Sequence, residues 1–148
     1  MTMFPTTMNF LIILAATVCG WLFGALYYGT LGKQWVAAQG STVEEFRAKQ
    51  AAKAGTLAAQ APFILAFVAQ LIMAYVLYGV MKHVAHTAPL TVRNGLISGA
   101  FIWFGFILTA IAVNHAFSGR RAMLTVIDTG HWLGVMLILG AVIGAFAT

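Results

Sequence analysis

The chain has 148 residues, of which 61% are apolar and only 7% are Asp, Glu, Lys or Arg, where soluble domains carry roughly a quarter charged residues. With a mean hydropathy of +0.92, this composition excludes a water-soluble globule, a disordered tail and a disulfide scaffold. The formal charge of +5 does not point to nucleic acid, because the basic residues lie between apolar blocks, where they meet headgroups and set orientation.

A bilayer span takes about 20 apolar residues, so the length accommodates four spans in one membrane domain. The first is expected over about 9–31, a stretch without a charge. Tyr27, Tyr28 and, beyond Lys33, Trp35 are placed at the membrane interface, where amphipathic rings settle. Cys19 lies inside this block with no second cysteine to pair with and is expected to pack as a small hydrophobe. Met1–Met8 holds no Lys or Arg and the apolar run from Phe10 is too long for an h-region, so no secretory signal is expected.

Ser41-Thr42-Val43-Glu44 has the spacing of a capping box, which predicts a short helix over 42–53 lying on the membrane surface. Glu45 and Lys49 are spaced within it as an i,i+4 pair. The second span, about 61–81, is expected to begin at Ala61-Pro62, with proline in the first helical turn, where its missing N–H is not needed. Lys82, His83 and His86 follow; the two histidines suit a solvated helix end or an i,i+3 metal pair. After Pro89 and Asn94-Gly95, the third span is expected over about 95–116 and the fourth over about 124–146. The turn between these two is short enough to make them antiparallel neighbours. The expected fold is an all-α membrane protein: four transmembrane helices in an antiparallel bundle, with a short interfacial helix between the first and second.

The first and third connections hold Lys33, Arg47, Lys49, Lys53, Arg120 and Arg121, whereas the second holds Lys82 and Arg93. Positive-inside then places both termini on the non-cytoplasmic side. A shift of 85 residues aligns Asn9 with Asn94 and Gly20 with Gly105, a weak repeat that chance similarity between apolar helices explains as well.

Helices in lipid associate where small residues let backbones approach. Four pairs of glycines lie one turn apart: Gly20 and Gly24, Gly95 and Gly99, Gly130 and Gly134, Gly140 and Gly144. They suit tight packing within one chain or contact with a second copy.

An intramembrane charge costs enough to need a partner or a task. Asp128 is the one acid inside an apolar block, and His131 lies one turn further on. With Asn114, His115, Arg120 and Arg121 it forms a candidate polar cluster at one membrane face. Four readings stay open: an ion pair of Asp128 with Arg120 or Arg121 pinning the turn, binding of anionic lipid headgroups at the arginines, proton or substrate handling by Asp128 and His131, and a metal site of His115, Asp128 and His131. No spacing here is diagnostic of a metal, and no metal or cofactor is expected. Gln70 suits a contact between helices, while Tyr75 and Tyr78 suit a cavity or the headgroup zone, the latter favoured for Tyr78.

Gly24-Ala25-Leu26-Tyr27-Tyr28, Gly32-Lys33-Gln34-Trp35, Gly99, Trp103, Gly105-Phe106, Phe117 and Ile127-Asp128-x-Gly130-His131 resemble the small bacterial membrane proteins catalogued as domain of unknown function 1761. That resemblance implies a four-span bacterial inner-membrane protein and brings no activity or catalytic residue with it. The expected function is a non-enzymatic component of the membrane, as a homo-oligomer or an accessory subunit of a larger complex. The alternative is a small transporter or ion- or proton-conducting protein, its path lined by Gln70, Tyr75, Asp128 and His131. An enzyme is not expected, because no activated nucleophile can be named.

Overall fold

A computed structural model describes residues 6–148; Met1–Pro5, on which the signal-peptide reading partly rests, lie outside the described residues. Thr6 caps the first helix, α1 (Thr7–Ala38), by accepting a hydrogen bond from the Asn9 N–H at 3.3 Å. At 1.5 Å per residue its 32 residues run about 48 Å, well past the roughly 30 Å of a hydrocarbon core. The helix therefore continues beyond the expected end at Leu31 and carries Lys33 and Trp35 within it. Gly32 does not stop it; Gly40 does, because Gly40 takes the left-handed conformation (φ 79°). The Gly40 N–H then returns to the Ala37 carbonyl and the Ser41 N–H to that of Val36, which satisfies the last carbonyls of the helix.

That turn delivers Thr42 in an extended conformation, and the capping box forms one residue later than its sequence spacing suggests. Thr42 Oγ1 accepts from the Glu45 N–H, and Glu45 Oε2 accepts from the Thr42 N–H, both at 3.2 Å. Ser41, expected as the cap, instead donates its hydroxyl to Glu45 Oε2 at 2.9 Å. The resulting helix α2 (Val43–Lys53) buries no residue, and its Phe46 ring meets Trp35 edge-on.

Helix α3 (Leu57–Val84) starts a full turn before the expected Ala61, so Pro62 sits inside it instead of in its first turn. The proline leaves the Ala58 carbonyl without its usual intrahelical donor. Helix α4 (Val92–Phe117) is capped by Thr91 and interrupted by a π-helical segment, Trp103–Leu108, that the periodicity did not announce. Thr109 Oγ1 donates to the carbonyls of Gly105 and Phe106 at 2.9 and 3.1 Å, occupying acceptors in the widened turn. Gly119, at φ 62°, turns the chain into α5 (Ala122–Phe146).

Helices α1, α3, α4 and α5 are long and apolar enough to cross a membrane, and the chain is a multi-pass membrane protein. Helix α5 is the centre: α1 and α4 pack along it, and α3 packs on α1. Its Val135, Met136, Leu139 and Ile143 meet Ile13 and Ala16 of α1 and Leu77 and Met81 of α3 in a closed core. Before its π segment, α4 buries only Gly95 and Gly99.

The eight glycines pack within the chain. A Cβ at Gly95 would overlap the Gly140 carbonyl, one at Gly140 the Gly95 carbonyl, and one at Gly144 the Thr91 carbonyl; one at Gly99 would stand 2.5 Å from the Met136 carbonyl oxygen. Along this seam α4 and α5 touch backbone to backbone, which only glycine permits. The others make room for side chains: Gly20 for Gln70, Gly24 for His131, Gly130 for Tyr27 and Gly134 for Phe23. The weak repeat has no structural counterpart, since Gly20 is packed while Gly105 has open space around it. Asn9 is buried, while Asn94 spends its amide on the Pro89 carbonyl at 2.8 Å. Cys19, expected to pack as a small hydrophobe, is exposed on α1.

Candidate functional site

Asp128 lies nearly two turns into α5, on the face toward α1. Its Oδ1 accepts two hydrogen bonds across that interface, from the Tyr28 hydroxyl and the Trp35 indole N–H, each at 3.0 Å. Tyr28 and Trp35 are seven residues apart, two turns of helix, and so project from one side of α1. Oδ2 stands 3.7 Å from His115 Nε2, whose Nδ1 pairs with Thr125 Oγ1 at 3.0 Å. The carboxylate thus joins three helices, α1, α4 and α5.

Neither arginine pairs with it, which corrects one of the four readings of the cluster. Arg121 stands seven residues before Asp128, about 10 Å along the helix axis, and donates from Nη1 to the Ala37 carbonyl at 2.8 Å. There its charge meets the negative end of α1. Arg120, in the same turn, and Asn114, near the end of α4, are exposed. Trp35, expected at the interface, is partly buried against Tyr28 and Phe46 and spends its indole N–H on this carboxylate.

His131 is three residues beyond Asp128 yet serves a different neighbourhood. It is buried among aromatic rings, stacked on Phe23 and tilted against Tyr28 with centroids 4.8 Å apart. Its Nε2 sits over Gly24, and its Nδ1 has no hydrogen-bond partner. Gln70 of α3 is likewise buried, with Oε1 against Gly20 and unpaired. His131 and Gln70 both line a groove of about 480 Å³ between α1 and α3, walled by Trp21, Tyr28 and Phe63. Tyr28 belongs to both places: its ring faces the groove and its hydroxyl holds Asp128. Tyr75, set with these residues in the conduction reading, is instead exposed on α3. His115, Asp128 and His131 do not converge, and among the described residues no three His, Cys, Asp or Glu side chains gather as metal ligands.

At the opposite face a second polar knot ties the ends of the bundle together. Asn9 donates to the Tyr78 hydroxyl at 3.1 Å and to the Thr148 main-chain oxygen at 2.9 Å, and accepts from the Thr148 N–H at 3.1 Å. Lys82 Nζ adds a bond to that same oxygen at 3.0 Å. Tyr78, favoured for the headgroup zone, is buried by this knot. Sequence reasoning missed Asn9, Tyr28 and Trp35 as functional partners. The seven-residue spacing of Tyr28 and Trp35 was the available signal, and the expectation of interfacial aromatics concealed it.

The chain matches the family model described as Protein of unknown function (DUF1761) over residues 11–144. It belongs to that family. No curated protein and no solved structure matches the chain. The matched region of this DUF1761 member contains the Asp128 tie and the groove, and ends before Thr148 of the second polar knot.

Proposed function

We propose that this DUF1761 protein is a non-enzymatic component of the bacterial inner membrane, working as a homo-oligomer or as an accessory subunit of a larger complex. The observation that carries this reading is the position of Asp128: its Oδ1 is held by two donors from α1. An embedded carboxylate engaged in this way acts as a rivet between helices and needs no substrate to account for it. The glycine pairs are filled from within the chain, so a second copy or a partner would bind on the lipid-facing sides of α3 and α4. Phe63, Leu65, Phe101 and Phe106 stand exposed there. Both termini are assigned to the non-cytoplasmic side by the distribution of Lys and Arg. Arg120, exposed beside Arg121, is the side chain offered to anionic headgroups.

One feature favours a second reading, proton conduction: Tyr28 faces the groove and bonds Asp128, which has His115 on its other side. Reconstitution into liposomes carrying an internal pH dye separates the two. The component reading expects proton flux no greater than that of empty liposomes under an imposed pH gradient. Flux that is abolished by Asp128→Asn while folding is retained would overturn it. A reporter fused after Thr148 is expected to read as non-cytoplasmic, and a cytoplasmic signal reverses the orientation.

A further inference from the structure

Gln70 and His131 reach the groove between α1 and α3 from different helices, and each carries a buried polar atom without a partner. Gln70 is 2% exposed with Oε1 unpaired, and His131 is 6% exposed with Nδ1 unpaired. Both are seated on glycines one turn apart on α1: a Cβ at Gly20 would stand 2.8 Å from Gln70 Oε1, and one at Gly24 the same distance from His131 Nε2. Buried polar groups without partners are rare because they are costly. Here the chain gives up two Cβ atoms to keep a pair of them beside an otherwise apolar space. In the hydrocarbon region water does not supply the missing bonds, and both side chains line the groove, so a lipid-soluble molecule seated there, met by rotation of the Gln70 amide and the His131 ring, is their natural partner.

The groove narrows the chemistry of that molecule. Its volume of about 480 Å³ falls in the range of small-molecule sites, roughly 300–1,000 Å³. Its walls include the rings of Trp21, Tyr28 and Phe63, and no Asp, Glu, Lys or Arg lines it, so the ligand is neutral. Aromatic walls favour a flat ring held by offset or edge contacts. A glutamine amide and a neutral imidazole each offer a donor and an acceptor, which suits oxygen substituents on that ring as carbonyl or hydroxyl. Phe63, which walls the groove, is itself exposed on the outside of α3, which lets an alkyl tail stay in the bilayer. We infer that this groove binds a neutral, tailed ring lipophile of the quinone or quinol class, its ring between Trp21, Tyr28 and Phe63 and its ring oxygens at Gln70 and His131. The inference concerns binding, goes beyond the reading of a membrane component, and is read out separately from oligomeric state and proton flux.

The test uses the full chain in phospholipid nanodiscs, titrated calorimetrically with a decyl-tailed benzoquinone, with tryptophan fluorescence quenching as a second readout. Saturable binding at one site per chain is expected, weakened at least tenfold by Gln70→Leu and by His131→Phe and unchanged by Tyr75→Phe, which lies outside the groove. Gln70→Leu exchanges an unpaired amide for an apolar side chain of similar size, so it should fold, and His131→Phe keeps a ring among Phe23 and Tyr28. Unfolding profiles like that of the parent chain establish that the variants are native. Absence of saturation overturns the inference, as does equal binding by both variants. Displacement of the quinone by decanol at the same concentration also overturns it, marking the groove as a slot for ordinary alkyl chains.

Discussion

Replacing Asp128 with alanine and with asparagine tests whether the carboxylate is a rivet. Hydrogen bonds to an ionised acceptor contribute about 1.5–3 kcal/mol each, so loss of the Tyr28 and Trp35 bonds in Asp128→Ala removes roughly 3–6 kcal/mol. At most about 2.5–3.5 kcal/mol of that, the cost of a charge at a helix centre, returns when the charge is removed, and pairing the low and the high ends leaves a net destabilisation of roughly 0.5–2.5 kcal/mol. Asparagine keeps an oxygen in place of Oδ1. Its two bonds fall to neutral strength, about 0.5–1.5 kcal/mol each, and the removed charge offsets the difference, so Asp128→Asn should remain within about 1 kcal/mol of the parent. Unfolding in mixed micelles with increasing SDS, followed by tryptophan emission, gives the stabilities. A double-mutant cycle of Asp128→Ala with Tyr28→Phe should show coupling of about 1 kcal/mol or more, because each change removes the same bond. Equal stability of Asp128→Ala and the parent, or zero coupling to Tyr28, would refute the reasoning. So would an asparagine variant as unstable as the alanine one.

The glycine seam and the surface helix give further tests. Gly140→Ala places a methyl on the Gly95 carbonyl and should cost about 1–3 kcal/mol or more in the same assay, whereas Gly29→Ala, with nothing within 4 Å of its added carbon, should be neutral or slightly stabilising. Equal effects at the two sites would remove the seam as the reason for glycine. The Glu45 carboxyl is held below its usual range by the Thr42 backbone N–H, then by the Ser41 hydroxyl. A depressed carboxyl stabilises the folded start of α2 above its ordinary value of 4.5, and that support is lost as pH falls through the lowered value. Amide-exchange protection of the first turn of α2, corrected for intrinsic rates, should therefore drop in acid, and Glu45→Gln should flatten the dependence.

The four apolar helices and their alternation follow from composition alone, because a chain this poor in charge must hide its backbone polar groups in long helices inside lipid. Asp128 was legible as the residue needing a partner for the same reason. Its partners were not legible. Arg121 and Arg120 are the nearest Arg or Lys in the chain, but Arg121 precedes α5 and donates to the Ala37 carbonyl, and the donors that face Asp128 come from α1. The end of α1 was misplaced because glycine stops a helix through its backbone conformation, and Gly40 takes the left-handed one while Gly32 does not. The π segment of α4 and the position of Pro62 inside α3 leave little mark on periodicity. Hydropathy by itself determined that this polypeptide crosses a membrane and in how many helices. Which polar side chains meet, at Asp128, at Asn9 and in the groove of Gln70 and His131, was decided only by the packing of α1 against α3 and α5, since those contacts join residues distant in sequence and depend on helix rotation.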